Sequence, residues 1–336
     1  MARSRREGKR RIGFHHPRVL RAMGGNGCLA AMDGGAHKRL LKGVSRSFYL
    51  SLRLLPAPMR GAASLAYLLA RTSDTLADAE SVPLAVRLSS LEQFSRAMEG
   101  SEPVPVWPAS LVDALADPRE RALLKASASL FDWLARLPAA EAKLVREVAS
   151  IIISGQRLDL ERFGPAEGSR PVPLASEAGL EDYAWRVAGC VGAFWTRLGF
   201  LTMDDGFSKA PREILIGRGI AYGKGLQLVN ILRDMPADLA AGRCYLPLAD
   251  PGDAEQLHIA RSYWLDRAQG WIDEGFAYSA CLVPRRLRAA SVLPAMIARE
   301  TLALLRNAGP KAMQTRVKVP RTRVYLALLK AFVAPG

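Results

Sequence analysis

Two aspartate pairs with one spacing stand about 160 residues apart in this chain, Asp74 and Asp78 in RTSDTLAD and Asp234 and Asp238 in NILRDMPAD. On a helix, positions i and i+4 share a face, so each pair can aim two carboxylates at one spot. Two such helices set face to face would ring a cavity with four carboxylates. A site of that kind suits Mg²⁺, a hard cation held by one or two carboxylates together with phosphates and water. The spacing points to diphosphate chemistry.

More of the same kit surrounds each pair. Tyr67, Arg71, Asp74 and Asp78 step by four, three and four residues, which puts a hydroxyl, a guanidinium and two carboxylates on one stripe of an otherwise apolar helix. Alone, an Arg–Asp pair at i,i+3 is an ordinary surface ion pair worth ~0.2–0.5 kcal/mol. Gln227, Asn230, Arg233, Asp234 and Asp238 repeat the kit at three- and four-residue steps, and the repetition argues against chance. Guanidinium forks grip phosphate oxygens bidentately, which makes Arg71, Arg233 and Arg243 candidates. Arg46, in SRSF, could close the site from another side with Ser45 and Ser47, although serines there are equally helix-capping residues. In YAWRVAGCVGAFW, Ala188, Gly189, Gly192 and Ala193 recur among aromatics. That stripe reads either as close helix packing or as the wall of a deep apolar pocket with Tyr183 as its polar group.

From residue 37 onward apolar residues recur at helical spacing and no strand-and-hairpin alternation is found, so the class is all-α. SRSFYLSLRLLP reads as a helix stopped by Pro56 and Pro58, and MRGAASLAYLLARTSDTLADAE as a long helix with Leu65, Leu69 and Leu76 in the core. Further helices are predicted over 84–99, 119–136, 139–163, 179–203, 211–240, 254–281 and 286–307. Loops are predicted at 164–176 and 247–253. With 336 residues, 49% of them hydrophobic, the chain can bury a sizeable core.

A formal charge of +15 invites a nucleic-acid partner. However, residues 1–22 hold eight basic residues against the single acid Glu7, so about half of the excess sits in a tail. The reading is therefore no nucleic acid, with a basic helical nucleic-acid-binding protein as the distant alternative. Residues 1–36 are expected to be a disordered basic tail, joined by GGNG at 24–27 to one helical domain over 37–336. The tail lacks the apolar stretch of a secretory signal; it is an arm, an anchor for anionic lipid or an extension without function. Cys28, Cys190, Cys244 and Cys281 lack metal-ligand spacing and suit reduced thiols of a cytoplasmic protein. No apolar run reaches 18 residues, and VYLALLKAFVAPG is too short to span a bilayer, so membrane contact is expected to be peripheral. No protein partner is inferable.

Five stretches in order, SRSF, YLLARTSDTLAD, YAWRVAGCVG, LQLVNILRDMPAD and GRCYLP, resemble the squalene and phytoene synthase family of head-to-head prenyltransferases, and the likeness runs from roughly 38 to 330. DTLAD, VLPAMIARETL and RVKVPRTRV suggest the squalene-forming branch. The resemblance implies a single-domain isoprenoid synthase helical fold with a central cavity, Mg²⁺ (or Mn²⁺) and NADPH as cofactors, and two molecules of farnesyl diphosphate as substrate. It implies catalytic and metal-binding roles for Asp74, Asp78, Asp234 and Asp238, with Asn230 beside them. Arg46, Arg71, Arg233 and Arg243, with Ser45, Ser47, Tyr67 and Gln227, would hold the diphosphates. Phe48, Val187, Ala188 and Val191 would line the prenyl channel, Tyr183 would serve the cation chemistry, and Arg316 and Lys318 would lie near the reductant. The product would be squalene, formed through presqualene diphosphate. Sister outcomes are phytoene, dehydrosqualene, or arrest at presqualene diphosphate. No Gly-rich dinucleotide fingerprint is present, so NADPH rests on the resemblance alone. Three positions depart from the family pattern. Pro236 inside the second acidic motif costs ~3 kcal/mol in an undisturbed helix and is expected to leave Asp238 in a kinked or ended turn. Ala79 stands where an additional acid is common, and Arg186 replaces an aromatic or small residue.

Overall fold

Proline sets where many of the helices begin. Pro56, Pro83, Pro108, Pro138, Pro211 and Pro284 each occupy the residue before a helix, with φ between −50° and −73°. A proline there needs no N–H, while its carbonyl accepts the first helical bonds, as Pro56 does from Met59 and Arg60 at 3.1 and 3.2 Å. The computed structural model describes residues 34–45, 48–166, 170–309 and 317–333. Its helices are α1 (Gly34–Val44), α2 (Phe48–Leu54), α3 (Ala57–Ala77), α4 (Leu84–Glu99), α5 (Ala109–Ala114), α6 (Pro118–Lys125), α7 (Ser127–Arg136), α8 (Ala139–Phe163), α9 (Glu177–Ala184), α10 (Cys190–Met203), α11 (Arg212–Ala240), α12 (Ala254–Cys281), α13 (Arg285–Ala308) and α14 (Arg321–Val333). A π-helical turn, Trp185–Gly189, joins α9 to α10.

The chain divides into two units, Met1–Arg39 and Leu40–Gly336. Of the first, only the start of α1 is described, and it begins three residues before the expected boundary at 37. The rest of the predicted basic tail lies outside the described residues. In the second unit, α3, α8, α10 and α11 form a connected set in which α3 packs on α8 and α10, and α10 on α11. Leu65, Leu69 and Leu76 are fully buried, as the periodicity predicts, in a core shared with Phe94, Val145 and Ile153. A second core joins α11, α12 and α13 through Leu228, Trp264, Ile272 and Leu302.

Glycine lets α10 and α11 touch backbone to backbone. A Cβ on Gly192 would stand 1.9 Å from the Gly219 carbonyl oxygen, and one on Gly223 would stand 2.3 Å from that of Ala188. The small-residue stripe is thus a packing device, whatever else it serves.

Several local expectations change. Helix 119–136 breaks at Ala126 into α6 and α7, and 179–203 is interrupted by the π turn. Pro58 does not stop a helix; it lies in the first turn of α3, where a missing N–H costs nothing. Pro236 does not end α11, which continues to Ala240. The predicted loop 164–176 contains a two-residue strand, β1 (Val172–Pro173), paired in parallel with β2 (Arg243–Cys244). Among the described residues, no helix is long and apolar enough to cross a membrane.

Candidate active site

Both acidic motifs fall at helix C-termini, the end where the macrodipole disfavours negative charge. Asp78 caps α3, its N–H donating to the Asp74 carbonyl at 2.8 Å, and Asp238 lies in the last turn of α11. Carboxylates so placed call for cations. Arg71 supplies one, donating to Glu120 at 2.6 Å and approaching Asp74 to 3.7 Å, and Gln156 of α8 donates to the Asp74 carboxylate. Burial, and next the neighbouring Asp78, still push Asp74 up to about 6. Asp78 is open to solvent at the helix end, yet the surrounding protein raises its carboxyl too, against the pull of Arg71 and Arg243.

Across from α3, the short β1–β2 pairing fixes the chain leaving α11. Val172 N–H donates to the Gly242 carbonyl and Leu174 N–H to that of Cys244, both at 3.0 Å. That register sets Arg243 on Asp238 at 3.2 Å and Tyr245 on Asp159 of α8, its hydroxyl donating at 3.0 Å. Asp159 is pushed up to about 7, chiefly by burial; Asp238 and Asp78 push the same way, while Tyr245 and Arg243 oppose them. Its other oxygen, Oδ1, is buried with no hydrogen-bond partner. Tyr183 stacks on Tyr245 with ring centroids 5.1 Å apart, and Phe163 meets Tyr245 edge-on at 5.0 Å. Burial holds the Tyr183 hydroxyl well above its ordinary range, and Asp159, Asp238 and Asp74 all add to the shift. Carboxylates from α3, α8 and the end of α11 therefore act on one tyrosine.

The other candidates take varied positions. Asp234 is gripped by its neighbour Arg233, whose Nε and Nη2 donate at 3.0 and 2.5 Å. Gln227 and Asn230 are half-buried on the same helix. Tyr67 donates to the Val44 carbonyl at 3.3 Å. Ser45 turns its hydroxyl back onto the Leu41 carbonyl, one turn earlier, at 2.5 Å. Lys318 is exposed. Arg46, Ser47 and Arg316, and the side chain of Phe48, lie outside the described residues. Of the departures, Ala79 is buried, so an acid there would be cut off from water. Arg186 bridges to Asp182 at 2.9 Å and donates to Ser154 at 3.0 Å.

Two apolar cavities adjoin one another. The larger, about 180 Å³, is walled by α10, α11 and α13 and includes Val187, Ala188 and Val191, three of the expected channel residues. The smaller, about 150 Å³, lies between α3, α8 and α10, with Tyr67 and Ala70 at the turn before Arg71. Val191 and Trp195 belong to both.

Gln156, Asp159, Glu120 and Tyr245 were not singled out from sequence. Gln156 and Asp159 stand three apart on one helix face, a signal that could have been read; Glu120 and Tyr245 arrive only through tertiary packing. Among the described residues no three His, Cys, Asp or Glu converge closely enough to hold a metal unaided. The unpartnered Asp159 oxygen and the raised carboxyls of Asp74 and Asp159 fit a site short of positive charge.

Compared with known proteins, residues 41–323 match the family described as Squalene/phytoene synthase. A presqualene diphosphate synthase of Zymomonas mobilis is 30% identical over 293 residues, covering 83% of this chain and 84% of that protein. A bifunctional lycopene cyclase/phytoene synthase of Arthroderma gypseum is 38% identical over 119 residues, 34% of this chain. The matches span only 19% to 33% of the length of the first such bifunctional relatives. A solved complex of TcSQS with the ligand E5700 superposes with a TM-score of 0.73 at 22% identity, over 90% of this chain and 86% of that one, a likeness of fold.

Proposed function

The chain belongs to the squalene/phytoene synthase family, and from that premise we propose that it condenses two molecules of farnesyl diphosphate head to head to presqualene diphosphate. The observation that carries this reading is that Asp159, Asp238 and Asp74 all raise the Tyr183 hydroxyl while Asp78 and Asp238 act on Asp159, beside two adjoining apolar cavities. The likeness to the Zymomonas presqualene diphosphate synthase, which extends over most of both chains, supports it.

Mg²⁺ fits the donor set, with Asp74 and Asp78 on one side and Asp234, Asp238 and Asn230 on the other; when bound, it neutralises the charge that develops on a departing diphosphate. Arg71, Arg233 and Arg243 orient diphosphate oxygens by exchanging their present carboxylate partners for phosphate. The apolar walls around Val191 and Trp195 keep water from the allylic cation. The stacked rings of Tyr183 and Tyr245 offer it an electron-rich face. Attack by the 2,3 double bond of the second chain, followed by proton loss, closes the cyclopropane ring.

A second reading continues through renewed ionisation and hydride transfer from NADPH to squalene; the stretches DTLAD, VLPAMIARETL and RVKVPRTRV favour it. Substrate and product are oily, which supports a peripheral membrane location. Mass identification of the product from farnesyl diphosphate, with and without NADPH, tests the assignment. Presqualene diphosphate under both conditions is the expected result, and squalene only with NADPH selects the second reading. A C40 product made only from geranylgeranyl diphosphate removes both.

A further inference from the structure

Helix α14 buries two alanines and packs Leu328 inward, yet leaves two of its leucines exposed. Ala327 and Ala331 are buried against Ala289, Val292 and Leu293 of α13, while Leu326 and Leu329 stand 55% and 60% exposed. A helix that only packs on its neighbour in water presents polar residues at such outward positions. The two leucines are three residues apart and share a face, with the exposed Lys330 beside them. From 317 to 333 the chain has four basic residues, Lys318, Arg321, Arg323 and Lys330, and no acid; Arg323 reaches Glu300 of α13 at 2.7 Å.

What lies beneath matters as well. While Ala289, Val292 and Leu293 of α13 carry α14, Ala290, Ser291 and Pro294 of the same helix line the larger apolar cavity. One helix thus separates that cavity from the outward leucines. A second copy of this face would set like charges against each other, whereas an anionic lipid surface satisfies both the leucines and the cations.

We infer that the outer face of α14 is the surface on which this chain rests against an anionic bilayer, its leucines at the acyl boundary and its basic residues among the head groups. This deepens the proposed reading by naming where an oily product meets lipid, and its test runs without substrate so that the two fail separately. Full-length protein is sedimented with vesicles of phosphatidylcholine alone or with one third phosphatidylglycerol. Binding is expected only to the anionic vesicles, weakening with salt. The double variant Leu326→Gln/Leu329→Gln should bind at least tenfold less, with helicity and melting unchanged. Arg321→Glu/Lys330→Glu should abolish the preference for phosphatidylglycerol. Neutralising Arg5, Arg6, Lys9, Arg10 and Arg11 to Gln should leave most binding in place. The inference is overturned if the leucine variant binds as wild type does. It is equally overturned if only the tail variant releases the protein, or if the leucines prove to hold a dimer that ignores vesicles.

Discussion

Asp159 and Asp74 give the site a pH signature. Their carboxyls are raised to about 7 and about 6, while an unfolded chain titrates both near pH 4. Between those values the folded protein holds more protons than the unfolded one, so these two groups make metal-free stability fall as pH rises from about 4 to about 7. Asp159→Asn should remove part of that slope and stabilise the apo-protein at pH 7.5 by about 1 kcal/mol, a discounted figure because the residue is partly open to solvent. Calorimetric melts of both proteins at pH 5.5 and 7.5 check this, and identical slopes would contradict it. Asp74→Asn should lower Mg²⁺-dependent diphosphate release at least a hundredfold with circular dichroism unchanged. Asp238→Asn should hurt as much as Asp234→Asn, because α11 runs through Pro236 and delivers Asp238 to Arg243. The aspartate pairs were legible because their spacing is local. Asp159 and Tyr245 were not, since what joins them is a pairing of two residues in a segment that reads as loop.

At the level of elements, prolines announced helix starts well, and 84–99 and 139–163 form as expected. The breaks were harder. Ala126 is a good helix former and nothing in its own chemistry stops a helix; the break falls where α6 and α7 each pack on α3. The π turn at Trp185–Gly189 likewise has no local marker, and Pro236 shows the converse, a breaker overridden by tertiary context. The glycines divide sharply by role. Gly192→Ala should force α10 away from the Gly219 carbonyl and destabilise by about 3 kcal/mol. Gly270→Ala, on the exposed interior of α12 with nothing within 4 Å of its Cβ, should stabilise by roughly 0.5–1 kcal/mol. Urea titrations of the two variants should move in opposite directions.

For the molecule as a whole, the order of motifs from 38 to 330 conveyed the architecture, because each motif belongs to a helix that must face the others. What the order could not convey was that, among the described residues, two adjoining apolar cavities share Val191 and Trp195. Since Asp74 of α3, Asp159 of α8 and Asp238 of α11 all act electrostatically on Tyr183, Mg²⁺ and inorganic diphosphate together should raise the melting temperature by several degrees. Saturation at about 100 Kd is worth ~2.7 kcal/mol, and either component alone should do less. Scanning fluorimetry with each component and with both measures the difference. Val191 and Trp195 form a party wall between two tenancies. Moving it to enlarge one hollow evicts volume from the other, so the two cannot be tuned one at a time.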